Sequence, residues 1–185
     1  MEVRIPIGVS NRHIHLTKED FTTLFGNIEP TPLFFLSGST TYFATNETVN
    51  VYNDKHRIND VRIIMPFYKE SSLEILMADS LALFGYVIPR GKKMHDVYVE
   101  GPKGTILLKD AVCRSVVHLH VNPIDADWYP LKKHYRLDIN NEIIDVLENK
   151  LTDIGTTIHI DKDDAEELGV TKDTIGRLLY DFTRQ

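Results

Sequence analysis

The stretch His13-Ile-His-Leu-Thr-Lys-Glu-Asp-Phe21 contains a pattern that this chain uses four times. A potential metal ligand, His15, is followed by an aliphatic residue and, five positions after the ligand, by Asp20. The other copies run from Glu74 to Asp79, from His120 to Asp125 and from His159 to Asp164. Thr17 is a good helix N-cap, which places Asp20 at the third helical position, where an acid suits the helix start. Each copy therefore predicts a strand end with a ligand, a cap and a helix, and we expect four such corners to bring their ligands together.

The four copies differ at the position of the cap. Asn122 and Asp161 can cap a helix as Thr17 does. The copy that starts at Glu74 has Leu76 at this position, so its assignment depends on the spacing and on the similar endings Leu-Phe-Gly of the first two copies.

Two of the copies carry a second histidine two residues before the ligand. Residues i and i+2 of a strand point to the same face, so each pair presents two imidazoles to one side of a sheet. Each pair is followed by a copy with a single ligand, which predicts two sites: His13, His15 and Glu74 for one metal, and His118, His120 and His159 for another. Three protein ligands and an open position are typical of catalytic zinc, whereas structural zinc usually has four. The alternative is a solvated polar face, but the repeated pattern favours a metal.

The composition limits the class of protein. A chain of 185 residues with 42% apolar content can bury a core, as one domain or two small ones. The single cysteine, Cys113, excludes an internal disulfide and suits a reducing cytosol. The first seven residues do not form a signal peptide, and no apolar run approaches a membrane span. We therefore expect a cytoplasmic protein that does not bind a membrane.

The charge of the chain bears on its partners. A net charge of -6 argues against general nucleic-acid binding. The densest basic stretch, residues 90–93, is either a local patch for a small polyanion or a solvated loop.

Most of the chain has the pattern of strands and turns. Apolar residues alternate along residues 3–10, directly before the first histidine pair. Residues 51–58 and 97–108 predict β-hairpins, the second with its turn at residues 101–104. Residues 175–182 predict one more strand. Short strands, tight turns and brief capping helices favour a mainly β protein that is built from small β-barrels with helical plugs.

Several of these motifs resemble those of one family. They are Gly8-Val-Ser-Asn-Arg-His-Ile-His-Leu16, Gly101-Pro-Lys-Gly104, the Glu74 copy and His159-Ile-Asp-Lys-Asp-Asp-Ala165. Together they resemble the phosphate propanoyltransferases of the propanediol-utilisation type, which are phosphotransacylases, over nearly the whole chain. The resemblance implies two small β-barrels with short capping α-helices and a metal site with two zinc ions between them. We place the first barrel in residues 2–11 plus 118–185 and the second in residues 12–117.

The resemblance also implies a reaction and its partners. Acyl-CoA and phosphate give acyl phosphate and CoA. We expect no encapsulation in a microcompartment, because we see no N-terminal extension of the kind that would suggest it. A homo-oligomer is compatible with the sequence. In the family pattern His13, His15 and Glu74 bind the zinc that meets the CoA sulfur, and the other three ligands bind the second zinc. Ser10, Arg62 and Ile64 match positions that contact the substrate.

The chain departs from the family pattern at a position that affects the chemistry. The phosphate-binding catalytic arginine of the family, six residues before the glutamate, is replaced by Tyr68. A tyrosine can donate a hydrogen bond but cannot neutralise the charge of phosphate. Arg12, Arg62 or Lys69 are candidates to supply that charge, and we take Arg12 and Tyr68 as the candidate catalytic residues. The other departures are Phe34 for a lysine, Val117 for an arginine and Glu166 for an asparagine.

Three functions are compatible with a chain that keeps all six metal ligands but has Tyr68 in place of the phosphate-binding arginine. The first is a zinc-dependent phosphotransacylase that acts on a short-chain acyl-CoA. The second is a divergent metal-dependent hydrolase of thioesters or phosphoesters. The third is a protein that binds CoA or metal without catalysis. The sequence favours the first.

Overall fold

The structure is a computed structural model that describes residues 2–180 of the chain. It divides into two compact units, each built around its own sheet. The first unit comprises residues 2–10, 37–39 and 116–180, and the second comprises residues 11–36 and 40–115. The N-terminal strand therefore belongs with the C-terminal part of the chain. The division into two barrels at residues 2–11 plus 118–185 and 12–117 stays a prediction.

Within the described range the chain forms strands, three short α-helices and one 3₁₀ turn. The strands are β1 Glu2–Ser10, β2 His13–His15, β3 Pro32–Phe35, β4 Phe43–Tyr52, β5 Arg57–Met65, β6 Ser72–Glu74, β7 Val97–Glu100, β8 Thr105–Leu108, β9 Val112–Cys113, β10 His118–Val121, β11 Tyr135–Ile139, β12 Glu142–Val146, β13 Glu148–Leu151, β14 Thr157–Asp161 and β15 Ile175–Tyr180. The helices are α1 Lys18–Phe25, α2 Met77–Phe84 and α3 Lys162–Glu167, and the 3₁₀ turn spans Pro123–Asp125.

Each unit contains one curled sheet, which confirms the predicted mainly β fold with short helices. The sheet of the first unit has seven strands in the order β12-β11-β15-β1-β14-β10-β13. The sheet of the second unit has eight strands, seven of them in the order β8-β7-β4-β5-β2-β6-β9, with β3 paired to β4. No α-helix of residues 2–180 is long and apolar enough to cross a membrane.

The core of the second unit explains why its histidines point away from it. Ile14 lies between Ile63 of β5 and Leu73 of β6, and Leu73 pairs in turn with Val112 of β9. All four side chains are completely buried. Full burial of an aliphatic side chain contributes about 1.5–3 kcal/mol. Because neighbouring residues on a strand face opposite ways, His13 and His15 lie on the other face.

The first unit follows the same rule. Leu119 of β10 and Ile158 of β14 are register partners, and both are completely buried. The ligands on either side of them, His118, His120 and His159, therefore share the opposite face of the sheet.

The two predicted hairpins are confirmed. Strands β4 and β5 pair through Val51 and Ile58, and β7 and β8 pair across the turn at residues 101–104. Gly101 is needed there, since a Cβ at this position would lie 2.6 Å from the carbonyl oxygen of Leu24. The predicted C-terminal strand is β15, and the last two residues of that prediction, 181 and 182, lie outside the described residues.

Three of the four repeated corners have the predicted strand, ligand and α-helix. The Thr17 side chain accepts a hydrogen bond from the N–H of Asp20, and Asp161 accepts from the N–H of Asp164. At the start of α2 the Leu76 side chain cannot accept a hydrogen bond. The carboxylate of Asp79 instead accepts a hydrogen bond from the N–H of Leu76 at 3.0 Å.

The third corner differs from the prediction. Asn122 caps a single 3₁₀ turn rather than an α-helix. Only seven residues separate Asn122 from Pro130, and a residue that precedes proline avoids the helical conformation. Pro130 therefore limits the length that a helix could reach at this corner, and the segment forms only the 3₁₀ turn Pro123–Asp125.

Replacement of Thr17 by alanine should lower the free energy of unfolding by about 1 kcal/mol, because the N–H of Asp20 loses its acceptor. Thr17→Ser keeps the acceptor and should stay close to the wild type. Thr22→Ala on the same helix is the control. The Thr22 hydroxyl donates to the Lys18 carbonyl within the helix, and loss of such a hydrogen bond has little effect on helix stability. Urea unfolding measures the difference, and equal losses for Thr17→Ala and Thr22→Ala would contradict the assigned cap.

Candidate metal centres

The first cluster of ligands consists of His13, His15 and Glu74 and is called the glutamate triad here. His13 lies opposite Glu74 across β2 and β6, so both side chains point to the same face. The potential ligand atoms of the three residues lie within 4.8 Å of one another. One carboxylate oxygen of Glu74 lies 3.7 Å from Nε2 of His13. The structure thus brings together the three side chains that the repeat grouped.

Backbone carbonyls orient both imidazoles of the glutamate triad. Nδ1 of His13 lies 2.8 Å from the carbonyl oxygen of Asn11. A carbonyl only accepts, so Nδ1 carries the proton and Nε2 keeps its lone pair for a metal. Nδ1 of His15 lies 3.4 Å from the carbonyl oxygen of Ile64, which is a long and weak contact.

The second cluster consists of His118, His120 and His159 and is called the all-histidine triad. His118 lies opposite His159 across β10 and β14. The ligand atoms lie within 4.8 Å of one another, and the side chains of His118 and His120 are buried. The arrangement repeats that of the glutamate triad, in which a His-x-His strand also pairs with the strand that carries the third ligand.

Two histidines of the all-histidine triad, His118 and His120, have a partner at Nδ1. Nδ1 of His118 lies 2.8 Å from the carbonyl oxygen of Val116, two residues earlier, just as His13 contacts Asn11. Nδ1 of His120 lies 3.1 Å from the hydroxyl oxygen of Thr152. Sequence reasoning missed Thr152, since no motif marks a threonine directly after a strand.

The donor set of the all-histidine triad fits a zinc ion. Nε2 of His118 and Nε2 of His120 are 3.0 Å apart, and a proton or a cation between them is needed to make this contact attractive. Tetrahedral zinc with Zn–N distances of about 2.0–2.1 Å places two nitrogens about 3.3 Å apart. The observed separation of this pair is close to that value, and because all three ligand atoms lie within 4.8 Å of one another, side-chain rotation can bring them around one ion.

Tyr68 lies directly against the glutamate triad. Its ring stacks on His15 with 4.0 Å between the ring centroids. Partial burial raises the pKa of the Tyr68 hydroxyl, and Tyr42 and the Glu74 carboxylate raise it further. The side chain is therefore a neutral phenol at physiological pH and can donate a hydrogen bond.

Arg12 has a carboxylate partner close by. Its Nε donates to Asp79 at 2.8 Å, and the side chain of Asp79 is only 7% exposed. The same carboxylate oxygen accepts from the N–H of Leu76 at the start of α2. Arg12 therefore links the beginning of β2 to the beginning of α2, and Asp79 offsets its charge.

The predicted substrate contacts lie on both units. Arg62 is the register partner of His13 on β5, and its Nη1 donates to the carbonyl oxygens of Thr45 and Asn46 at 2.8 and 3.1 Å. Ile64 follows two residues later on the same strand. Ser10 ends β1 of the first unit, opposite Asp161. Their contact with a substrate stays a prediction.

The basic stretch at residues 90–93 serves the local fold. Arg90 Nη1 donates to the carbonyl oxygen of Ser115 at 2.7 Å, and Lys93 lies 3.3 Å from the exposed carboxylate of Glu70. These contacts favour the loop interpretation over an anion-binding patch.

Comparison with known proteins agrees with these motifs. The family model of phosphate propanoyltransferase matches residues 6–172. The phosphate propanoyltransferase of Thermotoga maritima is 34% identical over an alignment that covers 89% of this chain and 83% of the relative. The phosphate propanoyltransferase of Lachnoclostridium phytofermentans is 34% identical over 95% of this chain and 87% of the relative. The one from Levilactobacillus brevis is 30% identical over 95% and 89%.

These matches cover the strands and corners that carry all six candidate ligands. From the family model and these relatives we conclude that this chain belongs to the phosphate propanoyltransferase family.

Proposed function

We propose that this chain is a phosphate acyltransferase that converts a short-chain acyl-CoA and phosphate into acyl phosphate and CoA. Membership of the family supports transfer of an acyl group to phosphate, and the names of the relatives indicate a propanoyl group. The observation that carries the proposal is the presence of two triads of ligands, one in each unit, on strands with equivalent pairing. The single cysteine is in keeping with action in a reducing cytoplasm.

We assign one zinc ion to each triad. Three protein ligands leave an open position, as in catalytic zinc sites. A zinc ion held there would supply Lewis-acid chemistry, which polarises carbonyl or phosphoryl oxygens and stabilises a thiolate. The contacts at Nδ1 keep the imidazoles in the tautomer that presents Nε2 to the ion.

In the proposed reaction a phosphate oxygen forms a bond to the thioester carbonyl carbon. The bond between that carbon and sulfur breaks, and its electron pair leaves with the CoA thiolate. Orientation of both reactants supplies a large part of the rate enhancement in such a transfer. The residues on the ligand-bearing face of the sheet are therefore the ones that we consider for binding phosphate.

Arg62 is the best placed of the three candidate cations in the second unit. Arg12 is paired with the buried carboxylate of Asp79, which offsets its charge. Lys69 is exposed and has no position in a strand of the described sheet. Arg62 lies beside His13 in the sheet, and backbone carbonyls fix its side chain without neutralising its charge. We therefore assign to Arg62 the cation that attracts phosphate to the glutamate triad.

Tyr68 has a different role from the arginine that it replaces. Its stacked ring covers one side of His15, which fixes the imidazole and keeps water away from that face. Its neutral hydroxyl can donate one hydrogen bond to a phosphate oxygen. Arg12 acts through Asp79 by holding the start of α2 next to the strand that carries the ligands.

A second function is favoured by one observation. Tyr68 supplies no positive charge beside His15. Hydrolysis of a thioester needs no such charge, because the attacking water is neutral whereas phosphate is an anion. A metal-dependent thioester hydrolase would therefore tolerate this replacement better than a transferase. The two functions differ in whether CoA release requires phosphate.

Protein purified without chelators should contain close to two zinc-class ions per chain, because six ligands form two sets of three. Elemental analysis of the wild type measures this content. The His13→Ala/His15→Ala variant should contain about one ion, since its all-histidine triad is intact. A content below one ion per chain in the wild type would exclude the two-site assignment.

Phosphate-dependent release of free CoA from propanoyl-CoA should be observed with the wild type and strongly reduced in His159→Ala. His134→Ala is the matched control in the same unit, because its exposed imidazole lies outside both triads, 3.6 Å from Asp145. A thiol reagent measures CoA in the presence and absence of phosphate. CoA release that does not depend on phosphate would assign the chain to the hydrolases, and absence of release would support a binding role. Equal kinetic parameters for the two variants would show that His159 has no part in the site.

Tyr68→Arg should lower the apparent KM for phosphate and leave the KM for acyl-CoA nearly unchanged. A charge-assisted hydrogen bond contributes roughly 1.5–3 kcal/mol, or about ten- to a hundredfold in a binding constant. Tyr68→Phe is the control, since it keeps the ring on His15 and adds no charge. Steady-state kinetics with each substrate varied in turn provide the measurement. Loss of wild-type activity in Tyr68→Arg would mean that the tyrosine has its own role in a different reaction.

A further inference from the structure

The all-histidine triad contains a close approach between a strand backbone and a ligand. Gly8 of β1 is the register partner of His159 on the parallel strand β14. A Cβ on Gly8 would lie 2.4 Å from Cδ2 and 2.6 Å from Nε2 of His159. These distances are far below van der Waals contact, so the imidazole occupies the space that any other residue at position 8 would fill.

The backbone at Gly8 has no other need for glycine. Its φ lies outside the left-handed region, unlike that of Gly26 or Gly169. Alanine is therefore compatible with the strand, and the atoms that it would displace are at the end of the His159 side chain. The displaced atoms include Nε2, which is a potential ligand atom of the triad.

Thr152 supports the triad from the edge of the same sheet that β13 forms. It follows β13, and its N–H donates to the carbonyl oxygen of Val121 at 3.0 Å, which fixes its backbone beside β10. Its hydroxyl oxygen lies 3.1 Å from Nδ1 of His120. With a metal on Nε2, Nδ1 of His120 carries the proton and donates to this hydroxyl.

We propose that Gly8 and Thr152 are positioning residues of the all-histidine triad. Gly8 provides the space in which the imidazole of His159 lies over β1, and Thr152 fixes the tautomer and ring orientation of His120. The inference rests on the proposed metal centre, and it concerns residues that would not themselves touch the metal. Loss of a group that orients a metal-bound histidine typically lowers metal affinity by about 10- to 100-fold.

The affinity of the all-histidine triad for zinc can be measured separately from activity. In a His13→Ala/His15→Ala parent, the glutamate triad loses two of its ligands, so competition with a chromophoric chelator reports on the other site. In this parent, Gly8→Ala should raise the zinc dissociation constant by about 10- to 100-fold.

Gly176→Ala is the matched control. A Cβ on Gly176 of β15 would meet the ends of two apolar side chains, Cδ1 of Leu137 at 2.5 Å and Cδ1 of Ile7 at 2.8 Å. This substitution crowds the same sheet without touching a ligand, so it should lower the melting temperature and leave zinc affinity unchanged. Equal losses of affinity in Gly8→Ala and Gly176→Ala, or an unchanged affinity in Gly8→Ala, would overturn the role of Gly8.

Thr152 provides a second test if Gly8→Ala does not fold. Thr152→Val should weaken zinc binding by about 10- to 100-fold, and Thr152→Ser should restore it. The absorption spectrum of the Co²⁺-substituted parent should change in Thr152→Val and not in Thr152→Ser. An affinity and a spectrum unchanged in Thr152→Val would overturn the role of Thr152. Absence of zinc binding in the parent itself would instead reject the metal centre of the proposed function, and the inference with it.

Discussion

Alternation of side chains along the paired strands is the constraint on which both triads depend. Ile14 is completely buried between Ile63 and Leu73, so the histidines on either side of it must face the other way. In the first unit the buried pair of Leu119 and Ile158 has the same effect on the all-histidine triad. A register slip of one residue would turn the imidazoles towards the hydrophobic core and the aliphatic side chains away from it. The free energy of core burial therefore also sets the direction in which the ligands point.

The two triads share their strand pairing but differ in the partner of their second histidine. In each, the first histidine of the pair contacts the carbonyl two residues earlier at 2.8 Å. The second histidine of the all-histidine triad has a hydroxyl partner in Thr152, whereas His15 has a long contact to a carbonyl and a stacked Tyr68. Both triads thus have a hydrogen bond at their first histidine, and the second histidine is supported by a hydroxyl in one triad and by a stacked aromatic ring in the other.

Arg12 and Arg62 of the second unit differ in whether a carboxylate offsets their charge. Asp79 offsets the charge of Arg12, and the same carboxylate caps α2, so that pair serves the fold. Arg62 is fixed by carbonyl dipoles, which orient a guanidinium without cancelling its charge. In a chain with a net charge of -6, such a local cation is a means of attracting an anion to a restricted place. The proposed function therefore gives the task of attracting phosphate to Arg62 on β5, since Tyr68 supplies no charge.

Local sequence determined the elements and the identity of the candidate ligands. The spacing of His15, Thr17 and Asp20 predicts a strand end, a cap and a helix correctly, because each of these contacts spans only a few residues. The same spacing at the third corner predicted an α-helix wrongly: Asn122 caps a single 3₁₀ turn, and Pro130 limits the segment that follows. Only the tertiary structure decided that the His159 ring packs against the backbone of Gly8, that the Thr152 hydroxyl contacts His120 and that Tyr68 stacks on His15. These contacts join residues far apart in the chain, and they arise from strand pairing and burial, which no local pattern of residues specifies.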